Sequence, residues 1–344
     1  MQSLQGGRGR EESFIVPTQV EVAFQGELGA YSQSALYAFF GKRSVSRVLP
    51  LPTLQRVFGA LCGESGASSS STSSAIPDYA IVPIENSLAG TVGETVDLLI
   101  QKDVRIVGET SVPVEHCLVI HKDTTLGRIR RVMSHPQALA QCREFLDSFG
   151  AGWEQVSVYD TAGSVKMIKE QHLLDTAGIA SKLAAEIYGM KIAKKRIEDD
   201  HTNRTRFIVI QRSKKGKEGV DVNGKKGKEV AAFPAVRRGR MNGSLKANSV
   251  LAANSLPTGK DKTSAIFVTK HEPGALVSAL AALSSRGINL MKIESRPMRG
   301  RAWEYYFYVD FEGHEREDRC RKAIADLAQK TEQLKILGSY RRGV

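Results

Sequence analysis

The hydrophobic positions from 20 to 212 repeat one unit along the chain. Each unit has a short apolar run, a turn containing Gly, Ser, Thr or Asn, and a stretch with the spacing of an amphipathic helix. Short apolar runs predict buried strands. Their alternation with helices predicts α/β architecture with mainly parallel sheets, packed as two lobes with a cleft between them. The clearest runs are VEVAF (20–24), YAIVPI (79–84), IRRVM (129–133), EQVSVY (154–159), TAGIA (176–180) and TRFIVIQR (205–212).

The pattern changes from Thr263 onwards. The apolar spacing there predicts, in order, strand SAIFVTK, helix GALVSALAALSSRG, strands NLMKIESRP and AWEYYFYVDF, helix HEREDRCRKAIADLAQK and strand QLKILGSY. This βαββαβ order is ferredoxin-like. A domain of about 80 residues buries little apolar surface by itself, so we expect its sheet edge to pair with a second copy.

Two segments interrupt the pattern. The run SGASSSSTSSA (65–75) has low complexity and predicts a surface loop, and residues 213–262 lack periodicity, which predicts a linker. We therefore divide the chain into a flexible N-terminus (1–19), an α/β domain of two lobes (20–212), a basic flexible linker (213–262) and a small C-terminal domain (263–344). The serine-rich run and the length of the linker predict looser coupling between the activities of the two domains.

The charge of the chain is concentrated in the linker. The net charge is +12, and residues 213–262 hold 12 Lys and Arg against 4 Asp and Glu, a net +8. Phe233 is the single aromatic residue of this segment, which lacks a nucleic-acid-binding motif, so a solvated linker explains it and we expect no nucleic-acid partner. No apolar stretch reaches the roughly 20 residues of a membrane-spanning helix, so no membrane partner is expected. The first 19 residues lack the apolar core of a secretory signal.

Motifs for cofactors and metals are absent from the sequence. The four cysteines are scattered and predict neither disulfides nor a zinc site. The turn QGELGAYS (25–32) lacks the Lys-Ser/Thr ending of a phosphate loop and the spacing of a dinucleotide fingerprint. No HExxH or GxSxG segment occurs. We therefore expect neither a cofactor nor a metal.

Small polar residues follow several of the predicted strands. In parallel α/β sheets these positions meet at one edge, beside helix N-termini that attract anions. A site for a small polyanionic ligand and a set of plain helix caps both explain this pattern. The residues are Asn86, Ser87, Thr91, Ser134, His135, Thr161, Ser181 and Thr205.

Six segments, in this order, resemble the signatures of the prephenate dehydratase family with a C-terminal ACT domain. They are VPIENSLAGTV (82–92), MSHPQALAQC (133–142), DTA (160–162), NRTRF (203–207), EPGALV (272–277) and ESRP (294–297). The resemblance implies a two-lobed catalytic domain similar to type II periplasmic binding proteins, and a ferredoxin-like ACT domain that senses phenylalanine. It also implies decarboxylative dehydration of prephenate to phenylpyruvate by a hydro-lyase of phenylalanine biosynthesis.

The resemblance implies roles for individual residues. It places the proton or hydrogen-bond donor for the leaving hydroxyl at Thr205, with Arg206 as a positive charge and Glu85 as a polarising group. A salt bridge between the lobes for Arg206, loop anchoring for Glu85 and a cap for His135 remain open. The substrate-binding positions implied are Asn86, Ser87, Thr91, Ser134, His135, Gln141 and Thr161.

The resemblance also implies regulation by L-phenylalanine at a site between two subunits of a homodimer or homotetramer. The implied effector-binding residues are Gly274, Ala275, Leu276, Val277, Glu294, Ser295, Arg296 and Pro297. Arogenate is the alternative substrate, and a non-catalytic amino-acid sensor is the alternative function. The implied location is the plastid stroma in a photosynthetic eukaryote and otherwise the cytoplasm.

Overall fold

The computed structural model describes residues 19–64, 76–149, 152–213 and 256–343. The serine-rich segment, most of the basic linker and nearly all of the predicted N-terminal segment lie outside the described residues. Within them, the chain forms two α/β lobes and a C-terminal domain. No helix among these residues is long and apolar enough to cross a membrane.

The first lobe is built on a sheet with strand order β2-β1-β3-β11-β5, and a short strand β4 pairs with β3. Helix α1 packs on one face of the sheet, and α2 and α3 pack on the other. The strands are β1 (Val20–Gln25), β2 (Val45–Leu51), β3 (Tyr79–Asn86), β4 (Gly90–Thr91), β5 (Val104–Pro113) and β11 (Arg204–Arg212), and the helices are α1 (Tyr31–Phe40), α2 (Leu54–Cys62) and α3 (Gly93–Gln101).

The second lobe is built on a sheet with strand order β10-β6-β9-β7-β8. Its apolar core is formed by these strands together with α4 and α5. The strands are β6 (Cys117–Ile120), β7 (Arg131–Ser134), β8 (Glu154–Ser157), β9 (Thr176–Ala180) and β10 (Lys191–Lys195), and the helices are α4 (Pro136–Ala140), α5 (Arg143–Asp147), α6 (Thr161–Glu170) and α7 (Lys182–Tyr188).

Both sheets are mixed, whereas the sequence predicted mainly parallel ones. Strands β1 and β7 run parallel to their neighbours, but β11 is antiparallel to β3 and β5, and β6 is antiparallel to β9 and β10. The reason is the chain path. The chain leaves the first lobe after β5 and returns through β11, which enters the first sheet from the end where β3 finishes.

The apolar runs in the sequence do not single out β2, β5 and β10. All three lie at an edge of their sheet. An edge strand is covered on fewer sides than a central one, so its sequence needs fewer apolar residues. The residues between β5 and β6 cross from one lobe to the other, so β6 begins only at Cys117.

The C-terminal domain has the predicted βαββαβ order, with strand order β13-β14-β12-β15. Its helices cover one face of the sheet. Its first strand begins before the predicted boundary, because Asp261 and Lys262 are buried members of the sheet and not part of a solvated linker. The elements are β12 (Asp261–Val268), α8 (Ala275–Ser284), β13 (Leu290–Pro297), β14 (Tyr305–Glu312), α9 (Asp318–Lys330) and β15 (Gln333–Arg341).

The other face of this sheet packs on the first lobe. Residues of β12, β14 and β15 join residues of β5 and β11 in one apolar cluster. Strand β15 approaches β5 closely at Gly338, where an added Cβ would lie 2.2 Å from the carbonyl oxygen of Ile106. The two domains therefore share a core, despite the length of the linker that joins them.

Candidate active site

The end of β3 and the start of β11 lie at the centre of the predicted site. The two strands pair antiparallel, with Thr205 opposite Asn86 and Arg206 opposite Glu85. Side chains along a strand alternate between the faces of the sheet. Thr205 therefore shares a face with Phe207, which packs in an apolar cluster containing residues of both lobes. Thr205 faces the second lobe, and Arg206 faces away from it.

The side-chain amide of Asn86 is oriented by the backbone around it. Its Oδ1 accepts hydrogen bonds from the N–H groups of Leu88 (3.1 Å) and Ala89 (2.9 Å). Its Nδ2 donates to Thr205 Oγ1 (3.0 Å) and to Asn203 Oδ1 (2.7 Å). If the Asn86 amide were flipped, its NH₂ group would face the backbone N–H groups of Leu88 and Ala89, and no acceptor would be available to them. Only the orientation described here pairs each donor with an acceptor.

This contact determines what the Thr205 hydroxyl can do. A hydroxyl carries one donor and two acceptor positions. The bond from Asn86 uses an acceptor position and leaves the proton of Thr205 for another group. Asn86 is 9% exposed and Thr205 is half-buried. Together they present an oriented O–H donor on the face of the first lobe that is turned toward the second.

Asn203 is a member of this cluster that the sequence analysis did not select. It is 2% exposed, and its Oδ1 already accepts from Asn86. Its Nδ2 has no hydrogen-bond partner among the described residues. Buried polar groups are nearly always paired, so an unpaired amide beside Thr205 is a group that a bound acceptor would satisfy. The NRTRF segment contained this residue, and only its threonine and arginine received roles.

Ser87 ties the turn after β3 to the start of β11. Its backbone N–H donates to the carbonyl of Arg204 (2.9 Å), and its hydroxyl accepts from the N–H of Arg204 (2.9 Å). The structure therefore places Ser87 next to the Asn86–Thr205 pair, where it supports the turn.

Ser134 and His135 lie where β7 ends and α4 begins. The hydroxyl of Ser134 is buried and donates to the carbonyl of Ile179 (2.7 Å). His135 caps α4 by accepting from the N–H of Gln137 through Nδ1 (3.2 Å), and Pro136 takes the first helical position. Both side chains thus have local structural partners, and the cap that the sequence left open for His135 is present.

Helix α6 begins at Thr161, but its cap is the preceding residue. The carboxylate of Asp160 accepts from the N–H of Gly163 (2.7 Å), and burial raises the pKa of this carboxyl group. Thr161 is half-buried at the first position of this ten-residue helix. Unpaired N–H groups and the positive end of the helix dipole make such a position favourable for an anion.

The turn after β1 joins the lobes on one side of the cleft. The hydroxyl of Ser181, the cap of α7, donates to the carbonyl of Gly29 (2.6 Å). Glu27 accepts from the hydroxyl of Tyr159 (3.0 Å) and from Nζ of Lys166 (3.0 Å). Gly29 has φ +92°, and an added Cβ would lie 2.4 Å from a backbone atom of α7. No pattern in the sequence indicates this contact, because its two turns are about 150 residues apart in the chain.

Gln141 lies at the crossing between the lobes. Its Oε1 is 3.1 Å from Nε2 of His116, whose Nδ1 is 2.9 Å from the hydroxyl of Tyr31. His116 is 1% exposed, and burial lowers the pKa of its imidazole despite the hydrogen bond that its Nε2 donates to Gln141. The neutral ring therefore bridges the two lobes, and the side-chain oxygen of Gln141 is committed to this bridge.

Glu85 and Arg206 lie on the opposite face of the strand pair, against the C-terminal domain. Arg206 pairs with Glu85 and with Asp310 (3.2 Å), and Glu85 also pairs with Lys292 (2.7 Å). Burial raises the pKa of Glu85, but the hydrogen bond from Lys292 and the charge of Arg206 outweigh it and lower this pKa. The structure therefore places neither residue at the cleft, contrary to their expected catalytic roles. Arg206 bridges the two domains and not the two lobes.

Thr91 belongs to the same interdomain contact and not to the cleft. Its hydroxyl donates to Glu294 (2.9 Å) and accepts from Lys292 (2.7 Å). Nearby, Arg296 donates twice to the carboxylate of Asp97 on α3, at 2.9 Å each. Two of the expected effector residues, Glu294 and Arg296, therefore contact the first lobe.

The other expected effector residues lie away from this contact. Strands β12 and β13 each run antiparallel to β14, so the start of α8 and the end of β13 lie at the same end of the domain. Along β13 exposed residues alternate with partly buried ones, and of the latter Lys292, Glu294 and Arg296 contact the first lobe. The residues at this end are Gly274, Ala275, Leu276 and Val277 around the start of α8, and Ser295 and Pro297 on β13.

Comparison with known proteins identifies the domains. The family described as prephenate dehydratase matches residues 22–215, and the ACT domain family matches residues 263–329. A relative named arogenate dehydratase/prephenate dehydratase 2, chloroplastic, from Arabidopsis thaliana is 34% identical over 338 residues, which are 96% of this chain and 74% of that protein.

Two solved structures resemble the fold over 94% of this chain. A prephenate dehydratase from Arthrobacter aurescens in complex with L-Phe is 28% identical, with a TM-score of 0.72 and 90% of that chain covered. A quorum-quenching acylase is 30% identical, with a TM-score of 0.71 and 98% of that chain covered. With its two-lobed α/β domain and its βαββαβ domain, the chain belongs to the prephenate dehydratase family, whose members are hydro-lyases, and carries a C-terminal ACT domain.

Proposed function

We propose that this chain converts prephenate to phenylpyruvate and that Thr205 donates the proton that the reaction needs. The bond between the ring and its carboxylate breaks, and its electron pair enters the ring. The bond to the opposite ring hydroxyl breaks, and the hydroxyl leaves as water with the proton of Thr205. Carbon dioxide is the other product, and solvent returns the proton to Thr205.

The observation that supports this role is the orientation of the Asn86 amide. It donates to Thr205 Oγ1 and so directs the threonine proton outward. A threonine is a weak acid, so it acts as the leaving group departs and not before. Glu85 and Arg206 act through the interdomain contact, and we assign them no contact with the substrate.

The two carboxylates of the substrate need donors, and the described cleft face offers neutral ones. The unpaired Nδ2 of Asn203 lies beside Thr205 in the first lobe, and α6 of the second lobe begins at Thr161. We propose these two groups as carboxylate contacts. Asn86, Ser87, Ser134, His135 and Gln141 support the site through the hydrogen bonds described above.

Arogenate is the alternative substrate. It differs from prephenate in carrying an amino group in place of the side-chain keto group, and the Thr205 step acts on the ring that both share. The relative from Arabidopsis thaliana carries both activities in its name. That name also includes the word chloroplastic, which supports a plastid location if the chain comes from a photosynthetic eukaryote. A bacterial source would place it in the cytoplasm.

We propose that L-phenylalanine binds at the end of the ACT domain where α8 begins and β13 ends, between two copies of the chain. Strand β13 is an edge of its sheet and has no partner on its outer side among the described residues. Apolar side chains remain uncovered there: Val277 is 72% exposed, and Met291 and Ile293 are each 41% exposed. A second copy would cover both the edge and this apolar surface, giving a homodimer or a dimer of dimers.

The same strand offers a route from effector to active site. Lys292 and Glu294 on β13 contact Glu85 and Thr91, which flank the turn that carries Asn86. A ligand that shifts β13 would move these contacts and so the turn. This proposal requires two arrangements of the strand with different affinities for phenylalanine, as any allosteric coupling does.

Turnover of the purified full chain on prephenate and on arogenate tests the proposed reaction. We expect Thr205→Ala to lower kcat by about 100-fold or more, the usual contribution of a positioned proton donor, and Thr205→Ser to retain most of it. A folded Thr205→Ala variant with unchanged kcat would contradict the role of Thr205. Hydrolysis of an acylated quorum-sensing signal, with neither ring substrate consumed, would overturn the proposed reaction itself.

A further inference from the structure

A cluster of three metal-ligand side chains lies in the second lobe, outside the site described above. His121, Asp123 and His172 bring one ligand atom each to within 4.8 Å of one another. His121 Nδ1 accepts a hydrogen bond from the backbone N–H of Asp123 (3.2 Å) and lies 3.6 Å from the Asp123 carboxylate, so Nε2 is the ring nitrogen left for an ion. The two imidazole rings meet edge to face with centroids 4.4 Å apart. No sequence motif indicates this cluster, because its members come from segments about 50 residues apart.

The two segments that carry the cluster are held together by the fold. His121 directly follows β6, and His172 follows α6 just before β9. The hydroxyl of Thr124 donates to the carbonyl of Leu174 (2.6 Å) and joins the two turns. His121 is 5% exposed, whereas Asp123 and His172 are exposed and can rotate. One ligand is therefore rigid, and the other two can adjust to an ion.

His172 has a backbone conformation that is unusual for histidine. Its φ is +52°, in the left-handed region, at the position after a helix end that glycine usually takes. The N–H of Leu173 donates to the carbonyl of Ile168 (3.0 Å), which closes the helix end in the usual way. This conformation directs the ring of His172 toward His121. It also places the cluster at the negative end of the α6 dipole, which favours a cation.

We propose that His121, Asp123 and His172 form a site for a divalent transition-metal ion such as Zn²⁺. Two neutral imidazoles and one carboxylate are a usual ligand set for zinc with one open position. Metal–ligand distances of about 2.0–2.2 Å require the three atoms to approach one another to about 3.3 Å, a movement of roughly 1 Å that exposed side chains can make.

The site lies at the end of the second lobe that is remote from the cleft. On β9, the cleft residue Ser181 comes just after the strand, and His172 comes before it. On β6, His116, which bridges the two lobes, comes just before the strand, and His121 comes just after it. Bound metal would therefore join two turns of the lobe and stabilise it without contacting the substrate. We expect stabilisation of the folded chain to follow from metal binding, because the unfolded chain lacks the assembled site.

Calorimetric titration of the chelator-treated full chain with ZnCl₂ tests the site, with thermal unfolding measured in parallel. The variants are Asp123→Asn and His172→Asn, because asparagine tolerates the left-handed conformation at 172. We expect one equivalent of Zn²⁺ to bind, the unfolding midpoint to rise, and each variant to bind at least about 10-fold more weakly, in line with the loss of one ligand. His271→Ala, at an exposed histidine outside the cluster, should bind as the unaltered chain does.

Substitution with Co²⁺ provides a second readout that does not depend on stability. Nitrogen and oxygen ligands should give visible absorption bands without the intense ultraviolet band of a cobalt–thiolate bond, and both variants should lose the visible bands. Equal binding by all four proteins, a thiolate band, or no binding of Zn²⁺ at millimolar concentration would each overturn the proposal.

Discussion

At the scale of single residues, one β-bulge in the VPIEN segment sends two neighbouring side chains in different directions. Asn86 faces the cleft, and Glu85 faces the C-terminal domain. Strict alternation along β3 would place Glu85 on the same face as Pro83 and Ile81. The pairing of β3 with β11 shifts register between Glu85 and Pro83, so Glu85 turns with Ile84 toward the C-terminal domain. A bulge of this kind re-aims side chains and is common beside active sites. It leaves Asn86 at the cleft and moves Glu85 away from it.

The direction of the Asn86–Thr205 hydrogen bond gives a residue-scale prediction. In Asn86→Asp the bonds from Leu88 and Ala89 can persist, but the second carboxylate oxygen accepts where the amide donated. Thr205 would then donate its proton to this carboxylate. The proton would no longer be available to the leaving group of the substrate. We expect kcat to fall by about 100-fold or more. The unfolding midpoint should fall as well, because the new carboxylate also faces the side-chain oxygen of Asn203 and the carbonyl of Arg204.

Steady-state kinetics with prephenate and a thermal melt of the same sample check this. Ser46→Ala, which removes a hydroxyl bonded only to the carbonyl of Val20 on β1, is the matched control for loss of a polar contact in the first lobe. Undiminished kcat in a folded Asn86→Asp variant would show that the direction of this bond does not matter.

At the scale of elements, the end of α3 is completed by a residue from another domain. Lys335 on β15 is 2% exposed, and its Nζ donates to the carbonyls of Leu99 (2.8 Å) and Lys102 (2.7 Å). The last carbonyls of a helix have no partner inside it, and a cation is favourable at that end. The docking of β15 therefore supplies the cap that α3 lacks in its own sequence.

Lys335 predicts a pH dependence of stability. Burial lowers the pKa of its ammonium group from 10.5 to about 8 in the folded chain, although the charge of Asp103 opposes this. Between these values the unfolded chain binds the proton and the folded chain does not, so the unfolding free energy rises with pH across this window. The unfolding free energy does not depend on this group well below pH 8, and the increase that it causes is complete well above pH 10.5.

Denaturant unfolding of the full chain and of Lys335→Met between pH 7.5 and 10.5 measures this contribution. We expect the free-energy difference between the two proteins to grow in favour of the lysine by at most about 1.4 kcal/mol per pH unit. Lys330→Met, at an exposed position on α9, is the matched control. A constant difference across this range would rule out a lowered pKa at Lys335.

At the scale of the whole molecule, a balanced set of charges lies between the first lobe and the ACT domain. Lys262 is 1% exposed and pairs with Glu109 (2.6 Å) and Asp310 (3.0 Å). Burial raises the pKa of Asp310, but the charge of Lys262 and the hydrogen bond from Ser264 outweigh it, so this carboxyl stays ionised. Three cations and three anions take part, namely Lys262, Arg206 and Lys292 with Glu85, Glu109 and Asp310.

Buried pairs of this kind have strict geometric demands, because an unpaired buried charge is costly. The main effect of this network is therefore to determine the orientation of the ACT domain relative to the first lobe. Its net contribution to the free energy of unfolding is small. It also makes the position of β13 sensitive to what happens at Glu85, on the strand next to Thr205.

Lys292 is the member of this network that tests coupling between the domains. We expect Lys292→Met to bind phenylalanine in calorimetry and yet to lose most of the effect of phenylalanine on kcat/KM. Allosteric couplings of about 1–3 kcal/mol correspond to roughly 5- to 150-fold effects, so the loss should be readily measured. Asp97→Asn, which breaks the second contact of β13 from the side of the first lobe, should weaken the response as well.

Lys322→Met, on the exposed side of α9, is the control for removing a lysine charge from the ACT domain. A full phenylalanine response in Lys292→Met would contradict the proposed route. So would the loss of phenylalanine binding itself, because Lys292 would then belong to the effector site.

The sequence by itself determined the two domain types, their order and most of the element sequence. The reason is local: apolar periodicity, turn residues and the proline that opens α4 act within a few positions of one another. The signature segments likewise located Asn86 and Thr205, which the pairing of β3 with β11 brings together. Family membership needed no tertiary information.

Only the tertiary structure decided which way the side chains of those segments point. Neighbouring residues of one motif, such as Thr205 and Arg206, face opposite sides of a sheet. The packing of the ACT domain on one side determines that Arg206 faces this domain and that Thr205 faces the cleft. The bulge at Glu85, the buried pairing of Lys262 and the meeting of His121 with His172 all join residues distant in the chain. No local pattern encodes such contacts, because they depend on how whole elements pack.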